Sequence, residues 1–237
     1  MFKVKQKFTI NMTKLFLQRI AKTLFAFIVF CNIYNTSIAQ NPEFYDEIQQ
    51  FKKHDLEVYT PKNSILLIGS SSFTKWKDVQ EYFPGFTIVN RGFGGSSLPD
   101  VIRYSDDIIF PYQPKQILIY CGENDLAASD TVTAKIVFDR FVQLFTIIRS
   151  KLPKVSIAYV SMKPSPSREH LLPKYIAGNL LIKNYLATKS KTAFIDVYSK
   201  MFTDGKIMKG IFLSDRLHMN AKGYQIWQKI IEPYLIK

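Results

Sequence analysis

The sequence is short of cysteine, glycine, proline and histidine. Its two cysteines, Cys31 and Cys121, cannot staple a chain of 237 residues into a disulfide scaffold. Ten glycines and eleven prolines exclude collagen-like and low-complexity architectures. The apolar run Leu24 to Cys31 falls well below the ~20 residues a membrane helix needs. His, Cys and carboxylates nowhere recur at zinc-ligand spacing, so neither a metal nor a cofactor is expected. What remains is 47% hydrophobic and 22% charged, with 19 Phe and 13 Tyr, the composition of one globular domain with a bulky core.

Acidic residues are missing altogether from positions 1 to 39, where Lys3, Lys5, Lys7, Lys14, Arg19 and Lys22 precede the apolar run and Ser37-Ile38-Ala39 closes it. Basic, apolar and small-residue regions in that order describe a secretory signal peptide cleaved after Ala39, with an uncleaved anchor as the alternative. No small residues precede Cys31 as a lipoprotein site requires. The expected organisation is therefore a signal peptide over 1–39 and a domain over 40–237, exported to the periplasm or the extracellular space, with no membrane span once the leader is gone.

The formal charge of +13 alone would suggest nucleic acid. Removing the leader's six cations lowers it to +7, and the remaining lysines are scattered, without interleaved aromatics on one face, so no nucleic-acid partner is expected. Cleavage also leaves Cys121 without a disulfide partner. Nothing in the sequence specifies an oligomeric state.

After a polar helical opening (Glu43 to His54), apolar runs at Ile65 to Ile68, Phe86 to Val89, Gln116 to Cys121, Val155 to Val160 and Thr192 to Val197 alternate with helix-length segments. The segments are Thr74 to Phe83, Leu98 to Phe110, Thr131 to Leu152, Glu169 to Ser190 and Ala221 to Ile236. Short continuous Ile- and Val-rich runs are strands covered on both faces. The alternation predicts a doubly wound, three-layer α/β/α sandwich on a five-stranded parallel sheet, whose ligands bind beyond the carboxyl ends of the strands.

Four loops there carry unusual residues. Gly69-Ser70-Ser71-Ser72 offers a serine at a helix start, readable either as a nucleophile or as a cap. Asn90 to Ser97 is rich in glycine and backbone amides; as a dinucleotide loop it lacks the third glycine, Ser97 standing there, and no Walker lysine follows. Gly122-Glu123-Asn124-Asp125 offers a side-chain amide donor or a turn. Asp215-Arg216-Leu217-His218 lets a carboxylate fold back onto the imidazole, in a triad or in a purely structural loop. Of the other histidines, His54 belongs to the opening helix, and His170 follows the Lys163 to Arg168 loop as a candidate pocket wall.

Taken in order, these blocks resemble the SGNH hydrolases, the GDSL family of esterases and lipases, over essentially the whole mature chain, from Asn63 to the last helix. The resemblance implies a flavodoxin-like SGNH fold and maps the nucleophile to Ser71, with Ser70 replacing the usual aspartate. It maps the acid and base to Asp215 and His218. The oxyanion donors become the Ser71 amide, Gly95, with Gly94 adjacent, and Asn124. No Gly-x-Ser-x-Gly elbow is present, against an α/β-hydrolase. With no lid insertion, the expected substrate is a short, acetyl ester of a carbohydrate or similar small molecule. A lysophospholipase or short-chain lipase using nearby Phe and Tyr, and a non-catalytic glycan-binding module, are the alternatives. Arg168 is expected to touch a polar or anionic substrate or to form a structural ion pair.

Overall fold

The computed structural model describes residues 41–237, with residues 16, 18–20 and 22, which are helical. The apolar run and cleavage site of the expected leader lie outside the described residues. Residues 42 onward form one compact unit. No helix among the described residues is long and apolar enough to cross a membrane.

Helix α1 (Tyr45–Glu57) leads into β1 (Ile65–Gly69), the short helices α2 (Ser71–Thr74) and α3 (Val79–Tyr82), and β2 (Ile88–Gly92). Two more short helices, α4 (Leu98–Arg103) and α5 (Ser105–Ile108), precede β3 (Gln116–Tyr120). Then come α6 (Glu123–Ala128), α7 (Ala134–Lys151), β4 (Ser156–Val160), a 3-10 segment (Pro166–Leu171), α8 (Leu172–Ala187) and β5 (Thr192–Ile195). A small hairpin, β6 (Phe202–Thr203) with β7 (Lys206–Ile207), and α9 (Ala221–Ile231) complete the chain.

The five long strands are all parallel, in the order β2-β1-β3-β4-β5. The chain reverses its direction of travel across the sheet between β1 and β3, and in folds of this kind such a switch point directs the search for a ligand site to the carboxyl ends of those two strands. Alternate residues of β1 feed two cores: Leu66 and Ile68 pack with Phe93, Val137, Phe141 and Tyr159, while Ile65 and Leu67 pack with Phe73, Trp76, Tyr224 and Trp227. This period of two on a doubly covered sheet is the predicted three-layer sandwich.

Several expected element boundaries need correction, among them the Leu98 to Phe110 segment, which is two short helices followed by a 3-10 turn. The second strand begins at Ile88 and includes Asn90, Arg91 and Gly92, which pair in register with Leu67, Ile68 and Gly69. Phe86 stays outside because the Gln80 side chain gathers the Phe83 and Phe86 carbonyls and the Ile88 amide into a turn. The expected Thr74 to Phe83 helix is two single turns flanking buried Trp76. The block around Asn124 is helical, as α6. Helix α7 follows its pattern: Thr133 caps it by accepting from the Ile136 amide, and Val137, Phe141, Leu144 and Ile148 form the buried stripe.

Candidate active site

Strand β1 ends in a turn that only glycine can make. Gly69 has φ +124°, and a Cβ there would lie 1.9 Å from the Tyr120 carbonyl oxygen. The Ser70 amide donates to that carbonyl at 2.9 Å, and the Phe93 amide donates to the Gly69 carbonyl at 2.9 Å. Both neighbouring strands thus pin the turn, and Ser71 becomes the first residue of α2. Its amide, a first-turn orphan, has no acceptor among the described residues. One turn of helix carries little macrodipole, so the site is offered an unpaired N–H rather than a field. From the opposite side Tyr224 of α9 donates its hydroxyl to the Ser72 carbonyl at 2.9 Å, tying the last helix to the same turn.

The Asp215 to His218 loop is folded by its own backbone. The Leu213 amide donates to the His218 carbonyl at 2.8 Å, the Arg216 amide to the Leu213 carbonyl at 3.0 Å, and Arg216 takes a left-handed φ of 58°. Asp215 Oδ1 accepts from the Leu217 and His218 amides, both at 2.9 Å, and Oδ2 lies 2.6 Å from His218 Nδ1. The other ring nitrogen, Nε2, lies 2.9 Å from Ser71 Oγ across 147 residues of sequence. A carboxylate only accepts, so Nδ1 carries the ring proton and Nε2 is left to accept from the serine. Asp215 is 45% exposed at its side chain and His218 16%. Slight burial pushes the Asp215 carboxyl up, but the hydrogen bonds from the His218 ring and from the His218 and Leu217 amides outweigh it and hold it well below the ordinary carboxylate range.

Across the crevice, the loop after β2 separates its two candidate glycines. The Gly94 amide donates to the Glu47 carboxylate of α1, at 3.1 and 3.2 Å. Gly95, at φ +78°, has an amide with no partner among the described residues. Asn124 stands on the first turn of α6, where Nδ2 donates to the Ser96 carbonyl at 3.1 Å and Oδ1 accepts from Arg168 Nη1 at 2.9 Å. Ser71, Asp215 and His218 are therefore brought together, and Asn124 and Arg168 meet beside the Gly95 loop. His170 is exposed on the 3-10 segment, and its side chain makes no hydrogen bond or ion pair with the described residues.

Three supports were not expected from the sequence. Glu47 holds the glycine loop. Asp125, with a fully buried side chain, accepts from the Leu98 amide at 2.9 Å and from Arg140 at 2.8 Å; burial pushes its carboxyl up against those two donors. Lys163 and Glu123, 3.5 Å apart with side chains 1% and 6% exposed, form a buried pair directly before Asn124. The Asp in the Gly-x-Asn-Asp block was the one available sequence signal; Glu47 and Lys163 carried none. Among the described residues no group of three or more His, Cys, Asp or Glu could hold a metal ion.

The family model described as the GDSL-like Lipase/Acylhydrolase family matches residues 68–226. A GDSL-like lipase from Bacteroides thetaiotaomicron superposes with a TM-score of 0.66 at 18% identity, covering 79% of this chain and 96% of that one. A carbohydrate esterase family 3 structure from Talaromyces cellulolyticus gives 0.58 at 15% identity, over 74% and 96%. A variant of an acetyl-xylooligosaccharide esterase from Geobacillus Stearmophilus gives 0.56 at 13% identity, over 76% and 98%. Identities this low establish a common fold. No curated protein matches the chain.

Proposed function

The chain belongs to the GDSL-like lipase/acylhydrolase family, and from that premise we propose that it is an exported serine esterase removing short acyl groups, acetyl above all, from a carbohydrate or similar alcohol. The observation that carries this reading is the unbroken series from Ser71 Oγ through His218 to Asp215, at 2.9 and 2.6 Å.

His218 Nε2 takes the hydroxyl proton as Ser71 Oγ bonds to the ester carbonyl carbon, while Asp215 holds the imidazole and balances its charge. The negative charge on the carbonyl oxygen is received by the amides of Ser71 and Gly95 and by the free N–H of Asn124. With the neighbouring Gly94 amide occupied by Glu47, Gly95 is the glycine left to serve. Collapse breaks the bond to the alcohol oxygen, which leaves with the proton from His218. Water, deprotonated by the same nitrogen, then attacks the acyl-enzyme, and the acid departs with Ser71 restored.

The short acyl preference is supported by the aromatics beside the loops. Phe73 and Phe93 are fully buried, committed to the two cores and withdrawn from contact with a fatty chain. This weighs against the lysophospholipase reading, and a complete hydrogen-bonded triad weighs against a binding module without turnover. The carbohydrate esterase and acetyl-xylooligosaccharide esterase folds among the structural neighbours agree with a sugar-borne acetyl ester. Export rests on the basic, apolar and small-residue order of the leader.

Across p-nitrophenyl acetate, butyrate and octanoate, kcat/KM is expected to fall by about tenfold or more between acetate and octanoate, with acetylated xylan cleaved and lysophospholipid spared. A rate rising with chain length would replace the acetylesterase reading by the lipase one.

A further inference from the structure

We infer that Arg168 is a positioning residue for the oxyanion site: its guanidinium fixes the carboxamide of Asn124 in the one orientation that leaves an N–H free for the substrate oxygen. The inference rests on the esterase reading above and deepens it.

A carboxamide is nearly symmetric in shape but not in chemistry, presenting two donors on nitrogen and an acceptor oxygen. Asn124 spends one donor on the Ser96 carbonyl at 3.1 Å and its acceptor on Arg168 Nη1 at 2.9 Å. Turning the amide over would set Nδ2 against the guanidinium, donor facing donor, and Oδ1 against the Ser96 carbonyl, acceptor facing acceptor. Arg168 and Ser96 therefore select the same rotamer from opposite ends, and the second N–H is the group left over. A cation on Oδ1 also draws density through the amide and strengthens that N–H as a donor, since the hydrogen bonds of one amide polarise each other.

Arg168 is itself held in place by the backbone around it. Its amide donates to the Ser165 carbonyl at 3.1 Å, and the preceding Ser167 amide donates to the Arg216 carbonyl at 3.1 Å. The same short segment thus touches both the Asp215–His218 loop and, through Arg168, the oxyanion side. Arg168 leaves helical geometry within the 3-10 segment, at φ −122° and ψ 28°. No carboxylate of the described residues lies in ion-pair range of it, and the side chain its guanidinium reaches is the carboxamide of Asn124.

The test is a double-mutant cycle on p-nitrophenyl acetate and on a fluorophosphonate that modifies Ser71. Arg168→Met is expected to lower kcat by about 10- to 100-fold with KM moving less than about twofold, and to slow phosphonylation by the same factor. Asn124→Ala is expected to lower both rates more. In the Asn124→Ala background the Arg168→Met change is expected to cost nothing further, within about twofold. Arg168→Lys, which keeps the charge and loses the planar fork, is expected to fall between wild type and Met and serves the cycle equally if Met does not fold. Losses that multiply independently of Asn124, or a KM increase confined to anionic esters at unchanged kcat, would overturn the inference and make Arg168 a substrate contact. An Asn124→Ala protein as fast as wild type would instead sink the underlying oxyanion assignment, so the two failures are distinguishable.

Discussion

Asp215 works at the surface, where a carboxylate usually gains little from a neighbour, yet three donors converge on it: the amides of Leu217 and His218 and the ring of His218. They hold its carboxyl low. A depressed carboxyl keeps its ionised partnership above the ordinary carboxylate range and loses it only as pH falls through the depressed value. Within the pH range of an activity assay Asp215 therefore stays ionised. Asp215 is expected to contribute no proton uptake to the acid side of log kcat/KM against pH; a slope of two there would mean that it titrates. The Asp215–His218 contact was legible in the sequence because Asp-x-x-His is a single local turn and the chain has only three histidines. The Arg168–Asn124 bond spans 44 residues and the Glu47–Gly94 bond 47. Such pairings depend on which strand lies beside which, and that is written in no local pattern.

Among the elements, α6 does the most with the fewest residues. Its first turn carries Glu123, Asn124 and Asp125, and the three side chains go separate ways, into the buried pair with Lys163, the site amide, and the tie to α4 and α7. Asp125→Ala would leave the buried Leu98 amide and the part-exposed Arg140 without their acceptor, at a cost of about 1 to 3 kcal/mol. Urea unfolding is expected to show a lower midpoint at unchanged m-value, and kcat is expected to drop because Asn124 rides on the same turn. Unchanged stability would mean that the Asp125 contacts are dispensable. This helix is not legible in the sequence because it follows glycine and is only six residues long, too brief for helical periodicity to register. The second strand is misplaced by its sequence for the converse reason. Phe86 looks like a strand residue and Asn90-Arg91-Gly92 look like a loop, but register with β1 outweighs propensity.

On the scale of the whole molecule, the sheet order follows from the alternation of short apolar runs and helices, and the crevice follows from that order. Residues from 71 and from 215 to 218 meet there because β1 is an interior strand and α9 docks through Tyr224 onto the turn that follows it. The charge that dominates the composition has no part in this geometry; several cations are spent in exposed pairs such as Lys52–Asp107 and Lys135–Asp139, and six lie within residues 1–39. The central claim is that Ser71 is the nucleophile of an acyl transfer served by His218. Intact-mass spectrometry after a fluorophosphonate pulse, with the modified peptide sequenced, tests it most directly. The account predicts one stoichiometric adduct on Ser71, absent from Ser71→Ala and strongly slowed in His218→Ala. An adduct on Ser70 or Ser72, or p-nitrophenyl acetate hydrolysis by Ser71→Ala at the wild-type rate, would contradict it.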